Sequence, residues 1–170
     1  MDKETLNSYI RVNHAGEFGA VRIYEGQRDA LKNSAVLPLI EDMLSQEQEH
    51  LSAFEDEMRT RQIRPTAFLP LWSVLGYGLG YVCGKIGPSA AMACTRGVED
   101  IIDDHYQHQL NTIGAEEENL KTKIKKFQDD EIHHKNISLE NGAKDAPFYP
   151  ILTAGIRAAT LLAIAISKRI

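Results

Sequence analysis

A lone glutamate followed about thirty residues later by Glu-x-x-His, written twice in one chain, restricts this sequence more than any other feature. The first copy is Glu17 with Glu47-Gln-Glu-His50, and the second is Glu99 with Glu131-Ile-His-His134. The internal spacings are 30 and 32 residues, and the copies are offset by 82 to 84, about half of the 170-residue chain. On a helix, residues i and i+3 share a face, so each Glu-x-x-His presents a carboxylate and an imidazole together. Four helices that each turn their group inward bring four carboxylates and two imidazoles to one point. That is the donor set of a carboxylate-bridged di-iron or di-manganese centre.

Helix breakers fall where such a bundle needs them. The pattern predicts helices over about 4–32, 36–60, 88–114 and 116–140, and a last apolar helix over 147–168. Pro38 and Pro88 sit in first turns, where a missing N–H is harmless, and Gly114 is placed to close the third of these helices. Pro65 and Pro70 are expected to bracket a non-helical crossing. Strand signals are nearly absent. The fold class is therefore all-α, a ferritin-like four-helix bundle with additional apolar helices. It is read as one domain over 1–170, with the apolar crossover of about 65–87 and the C-terminal helix of about 147–168 as additions. Each of Glu17, Glu47, Glu99 and Glu131 lies near the middle of its helix, at one common depth. A single mid-helix glutamate is usually solvated, but six groups satisfying depth and spacing twice over point to a metal.

The two additions read as membrane-interfacial. Residues 65–84 carry no charge, yet contain two prolines and three internal glycines, and the last helix has Arg157 at its centre, which disfavours a span. Short apolar helices with Trp72, Tyr77, Tyr81 and Tyr149 suit monotopic attachment to a membrane surface. Ordinary core helices or a homo-oligomer interface are the alternatives. Gly76, Gly80 and Gly84 make a smooth stripe for close helix approach. Gly76-x-Gly-x-Gly80 follows no strand and opens no βαβ unit, so no dinucleotide-binding domain is expected. A formal net charge of −5 argues against nucleic acid as a partner. Cys83 and Cys94 read as buried, reduced thiols of a reducing compartment, and the N-terminus shows no secretory pattern.

Four carboxylates balance two divalent ions while both histidines stay neutral. Without metal, their mutual repulsion and desolvation should raise carboxyl pKa values. In the simplest arrangement Glu47 and Glu131 bridge the ions and Glu17 and Glu99 are terminal. Tyr24 and Tyr106 each lie seven residues beyond a terminal glutamate, near the ligand face, as hydrogen-bond donors or walls of a substrate channel; amphipathic core tyrosines are the alternative. His105 could face the same cavity. His14, three before Glu17, is the rival ligand, whereas His108 and His133 are expected outside the centre. Asp103, one turn beyond Glu99, is the best candidate for an outer carboxylate.

These residues also carry a resemblance. Arg11-Val-Asn-His-Ala-Gly-Glu17 with Arg22-Ile-Tyr24, then Gln46-Glu-x-x-His50, Arg64-Pro-Thr66, Pro70-Leu-Trp72, Ala91-Met-Ala-Cys94, Val98-Glu99, His105-Tyr106 and Glu131-x-x-His134, resemble the motifs of the demethoxyubiquinone hydroxylases. The resemblance covers nearly the whole chain and departs at His133, where the family often has a carboxylate. It implies metal and catalytic positions at Glu17, Glu47, His50, Glu99, Glu131 and His134, with His14 not a ligand. It implies two iron ions, O2 as co-substrate, and NADH as electron source, relayed through the quinone itself. The substrate it implies is a polyprenyl benzoquinone of ubiquinone biosynthesis. Other proteins of that pathway, including one that presents lipid, are implied partners. The implied location is peripheral, on the cytoplasmic face of a bacterial inner membrane or the matrix face of the mitochondrial one.

Other classes share the site. A ferroxidase or iron-handling protein would have a soluble exterior, a rubrerythrin would add a four-cysteine iron module, and a tRNA hydroxylase would want a basic face. A non-catalytic, membrane-associated bundle that binds quinone lipids would need no metal.

Overall fold

The computed structural model describes residues 1–168, and among them the regular elements are six α-helices and two short 3₁₀ turns, with no strand. The helices are α1 (Lys3–Ala30), α2 (Leu37–Arg61), α3 (Leu69–Ile86), α4 (Pro88–Thr112), α5 (Glu118–Glu140) and α6 (Tyr149–Ser167). The chain is all-α, a ferritin-like bundle in which α1, α2, α4 and α5 surround the centre. Helix α1 packs on α2 and α4 on α5, with α2 facing α5 across the middle. Helix α3 lies along α1, and α6 lies along α4. The duplication seen in the ligand pattern therefore extends to three helices per half.

Local sequence explains the boundaries. Asp2 caps α1 by accepting a hydrogen bond from the Thr5 N–H at 2.8 Å. Helix α2 ends on Gln62 in the left-handed conformation (φ 56°). Gly114 departs from expectation: its φ is −70°, so it does not act as a left-handed stop. Helix α4 instead ends because Ile113 turns extended (ψ 128°), and a 3₁₀ turn leads into α5.

The crossing also differs from expectation. Pro70 does not border a non-helical stretch; it occupies the first turn of α3, an 18-residue helix. Three internal glycines would cost such a helix about 1 kcal/mol each in isolation, but α3 gains a close contact in return. A methyl group added at Gly80 would overlap the Ile23 carbonyl of α1, so the two backbones touch there. Gly26 of α1 is the reciprocal notch, facing the backbone of Tyr77 and Tyr81. Helix α6 docks differently. Ile156 fills the space beside Gly97 of α4, and Arg157 Nη1 reaches Asp100 Oδ2 at 2.9 Å. The charge at the centre of the apolar helix is thus held against the bundle.

The core is layered. Apolar clusters around Ile10, Phe54 and Ile124 and around Ile40, Met43 and Met92 pack the bundle. Between them lies a polar interior containing Glu17, Glu47, His50, Glu99, Glu131 and His134, each 2% exposed or less. Cys83 and Cys94 are buried and unbridged.

Candidate metal centre

Six ionisable side chains from four helices meet in the buried middle of the bundle. Helix α1 contributes Glu17, α2 contributes Glu47 and His50, α4 contributes Glu99, and α5 contributes Glu131 and His134. They form two overlapping groups, Glu17–Glu47–His50–Glu131 and Glu47–Glu99–Glu131–His134, whose potential ligand atoms lie within 4.8 Å of one another. Glu47 and Glu131 belong to both groups, and Glu17 and Glu99 to one each.

The rings are aimed inward by the same nitrogen. His50 Nδ1 is 3.3 Å from Glu131 Oε1 and 3.6 Å from Glu17 Oε2. His134 Nδ1 is 3.2 Å from both Glu47 Oε1 and Glu131 Oε2. The outer nitrogens are also held. His50 Nε2 is 3.1 Å from Asp130 Oδ2, and His134 Nε2 is 3.1 Å from Gln46 Oε1. Each acceptor keeps a proton on Nε2 and leaves the Nδ1 lone pair free for a metal.

The tyrosines serve the opposite half. Tyr24 of α1 donates to Glu99 Oε1 of α4 at 2.9 Å, and Tyr106 of α4 donates to Glu17 Oε1 of α1. Burial, then the surrounding carboxylates, raises both phenols well above their ordinary range, so they remain protonated donors. The same crossing recurs farther out. Gln109 of α4 pairs with Asn13 of α1, and Gln27 of α1 donates to Thr95 of α4.

Electrostatically, the cluster as it stands needs cations. Burial and the neighbouring Glu131 push the carboxyls of Glu47 and Glu99 well above the usual range. Burial acts to lower His50, but the Glu131 and Glu17 carboxylates facing its Nδ1 outweigh it and lift the ring to about 11. Burial acts to raise Glu131, and its histidine partners His134 and His50 override it, holding the carboxyl at about 2. Four buried atoms of the cluster lack any hydrogen-bond partner: both oxygens of Glu47, Glu131 Oε1 and His50 Nδ1. Unpaired buried lone pairs are costly. Metal ions at this point would satisfy all four, so the residues present fit a dinuclear centre.

Beside the cluster is an apolar cavity of about 150 Å3 between α1, α3, α4 and α6. Gly16, Gly19, Leu75, Leu79, Ile102 and Ile164 are among its walls. A smaller cavity shares Val12, Gly16, Ile102 and Ile164 with it and is lined further by Glu17, His105 and Tyr106. The two cavities thus share a wall, and the inner one is bounded by a carboxylate of the cluster.

The other candidates from the sequence fall outside. His14 is buried beyond both groups, its ring lowered by burial. His108 and His133 are exposed. Asp103 faces away from the ligands, accepting from Gln128 at 2.8 Å and pairing with Lys135 at 2.6 Å. The sequence places Gln46 in a motif without a role and gives no hint of Asp130's partner. Their signal was available: each immediately precedes a Glu-x-x-His, 84 residues apart.

Residues 4–167 match the family described as ubiquinone biosynthesis protein COQ7. The chain belongs to this family. It is 44% identical, over its whole length and 80% of the relative, to a Dictyostelium discoideum protein named NADPH-dependent 3-demethoxyubiquinone 3-hydroxylase, mitochondrial. A Homo sapiens protein of the same name is 42% identical over the whole chain and 80% of its own length. The 3-demethoxyubiquinol 3-hydroxylase of Rhodospirillum rubrum is 42% identical over 97% of this chain and 78% of its own. The expected electron donor was NADH, whereas two of these names specify NADPH.

Proposed function

We propose that this chain is the O2-dependent hydroxylase of the demethoxyubiquinone ring in ubiquinone biosynthesis. The observation that carries the reading is the pair of buried groups sharing Glu47 and Glu131, with an apolar cavity that adjoins the smaller one beside Glu17. Glu17, Glu47, His50, Glu99, Glu131 and His134 would hold two iron ions, with Glu47 and Glu131 common to both groups. Bound iron supplies the activation of O2 that a protein side chain cannot.

The chain's own residues prepare that chemistry. Tyr24 and Tyr106 fix the terminal glutamates through one oxygen and leave the other free. The cavity walls exclude water and receive an apolar ring. At about 150 Å3, the cavity is smaller than the roughly 300–1,000 Å3 of pockets that enclose a whole drug-sized ligand. It suits a substituted ring, with the polyprenyl tail left between α3 and α6. His105, in the wall of the smaller cavity, is lowered to about 4, first by burial and then by Lys168 and His108. It would meet the ring as a neutral imidazole.

The outer faces of α3 and α6 supply the setting. Val74, Val82 and Ile86 on α3 and Ile151, Leu161 and Leu162 on α6 are more than half exposed. Phe148, at the foot of α6, is 79% exposed and holds a left-handed φ of 53°. Helix α6 is long and apolar enough to cross a bilayer by length and composition, but it lies against α4 along the bundle. Monotopic attachment to a quinone-bearing membrane fits both facts, with the cavity opening toward the lipid. A reduced nicotinamide nucleotide is the electron source in this reading, with NADPH favoured over NADH by the relatives' names.

The test is direct. Protein loaded anaerobically with ferrous iron is given short-tailed demethoxyubiquinone, NADPH or NADH, and isotopically labelled O2. The expected product is heavier by one labelled oxygen. Two irons bound with no product, and O2 consumed by iron oxidation alone, would favour the ferroxidase reading instead.

A further inference from the structure

The two halves of the centre are built alike except behind the histidines. His50 Nε2 donates to a carboxylate, Asp130 Oδ2, at 3.1 Å. His134 Nε2 donates at the same 3.1 Å distance to an amide oxygen, Gln46 Oε1. The orientation of that amide is fixed, because Gln46 Nε2 donates to Asp42 Oδ2 at 3.0 Å and so turns its oxygen toward the ring. One imidazole is thus backed by an anion and the other by a neutral dipole. The clamps on the ring faces differ too. Phe127 lies over His50 with centroids 4.0 Å apart, tilted by 30°. His134 meets only the edge of a ring, Tyr24, at 6.1 Å.

Charge-assisted hydrogen bonds are about twice as strong as neutral ones. A carboxylate behind a histidine raises its basicity as a ligand, whereas an amide does so far less. Asp130 is 30% exposed while His50 is 1% exposed, so the anion sits at the rim and transmits its effect through the ring. Glu47 and Glu131 belong to both groups, and Glu99 and Glu17 each accept one tyrosine hydroxyl. Of the differences between the halves, the partners behind the histidines are the ones that act on the donor nitrogens.

We infer that the dinuclear centre is asymmetric by construction: Asp130 makes the Glu17–His50 half the tight, first-loading metal site, and Gln46 leaves the Glu99–His134 half as the weaker, second-loading one. Asp130 and Gln46 are positioning residues, acting on metal only through the rings they hold. The inference rests on the di-metal reading above. It has a functional consequence. The weaker ion is the one whose coordination changes more readily, which places the adaptable position of the centre on the Glu99 side, away from the cavity that reaches Glu17.

The test is anaerobic titration of metal-free protein with ferrous iron, followed by calorimetry and by Mössbauer spectroscopy with enriched iron. Wild-type protein should bind in two resolved steps and show a single ferrous signal at one equivalent. Asp130→Asn keeps the side-chain shape and should weaken the first step by about 10–100-fold, merging the steps and producing two ferrous signals at one equivalent. Asp130→Glu should restore part of the separation, and Gln46→Glu should tighten the second step. Two indistinguishable steps in the wild type, or an Asp130→Asn variant with both steps intact, would overturn the inference while leaving the di-metal reading standing. No iron bound by the wild type would overturn both.

Discussion

The first three helices and the last three repeat one plan, yet they have diverged wherever something other than ligand geometry was at stake. Both halves offer a terminal glutamate, a Glu-x-x-His and a tyrosine that crosses to the other half's glutamate. Both end in an apolar helix that starts with Phe-x-Pro, Phe68 and Pro70 in one and Phe148 and Pro150 in the other. The differences lie around this frame. Helix α3 is pressed onto α1 through Gly80 and Gly26, backbone against backbone, whereas α6 rests on α4 through Ile156 and the Arg157–Asp100 pair. The cavity is one-sided as well. Gly16 and Gly19 open it on α1, while the positions 82 residues later are Val98 and Ile101. A duplicated pair of helical hairpins brings the two sets of carboxylates and imidazoles to one place, and departures from the duplication open a cavity on one side only.

The largest effect should come from a residue both halves share. Glu131→Ala should abolish binding of both ions and reduce hydroxylation below detection, whereas Glu17→Ala and Glu99→Ala should each lose chiefly one ion. Metal analysis after anaerobic loading checks this, and an iron-replete Glu131→Ala protein would break the bridging assignment. Next in size is Gly19→Ile, which gives the first half the residue type of the second. No atom stands within 4 Å of a methyl group placed at Gly19, so the side chain enters the cavity without straining the helix. Turnover should fall by about 100-fold, on the scale of a misplaced reactant, with iron content unchanged. Normal turnover would remove the cavity from the substrate path.

The exposed apolar faces should give a smaller, separable effect. Val74→Glu on α3 combined with Leu162→Glu on α6 should abolish flotation with liposomes while leaving hydroxylation of a short-tailed quinone within about twofold. Those side chains, 71% and 61% exposed, touch neither ligands nor cavity. Unchanged flotation would sink the interfacial reading of both helices.

The smallest effect is a pH slope with a definite sign. Above pH 6.5 the folded metal-free protein holds more protons than the unfolded one, because His50 is raised to about 11 and His134, Glu47 and Glu99 are raised too, whereas the lowered groups Glu131, His105 and His14 act at lower pH. A raised pKa contributes stability that is complete below the unfolded value and is lost as pH climbs through the folded one. For His50 that window runs from 6.5 to about 11, so the melting temperature of metal-free protein should drop steadily between pH 6.5 and 9. Iron binding requires deprotonated ligands, so metal should stabilise more at the upper end of that range. A flat profile without metal would contradict the electrostatics described here.

The parts of the molecule readable from sequence were those written as period and spacing. A Glu-x-x-His at helical spacing puts its groups on one face whatever surrounds it, so the meeting of Glu17, Glu47, His50, Glu99, Glu131 and His134 followed from arithmetic on the chain. The start of α2 followed from Pro38 in its first turn. What escaped depended on contacts between helices. Prolines and glycines in 65–84 weaken an isolated helix, and only the groove on α1 that receives Gly80 explains why α3 persists across them. Gly114 looked like a left-handed stop but sits in extended backbone, since Ile113, buried in the core, had already turned the chain. Asp130 and Gln46 occupy matching positions before each Glu-x-x-His, but which histidine each one holds depends on a helix 80 or more residues away.

The measurement that bears most directly on the central claim is anomalous diffraction at the iron edge from crystals of the iron-loaded protein. Two peaks about 3.5–4 Å apart, the spacing of two-metal sites, should lie between Glu47 and Glu131, one beside Glu17 and His50 and the other beside Glu99 and His134. A single peak, or peaks away from the two shared glutamates, would contradict the account.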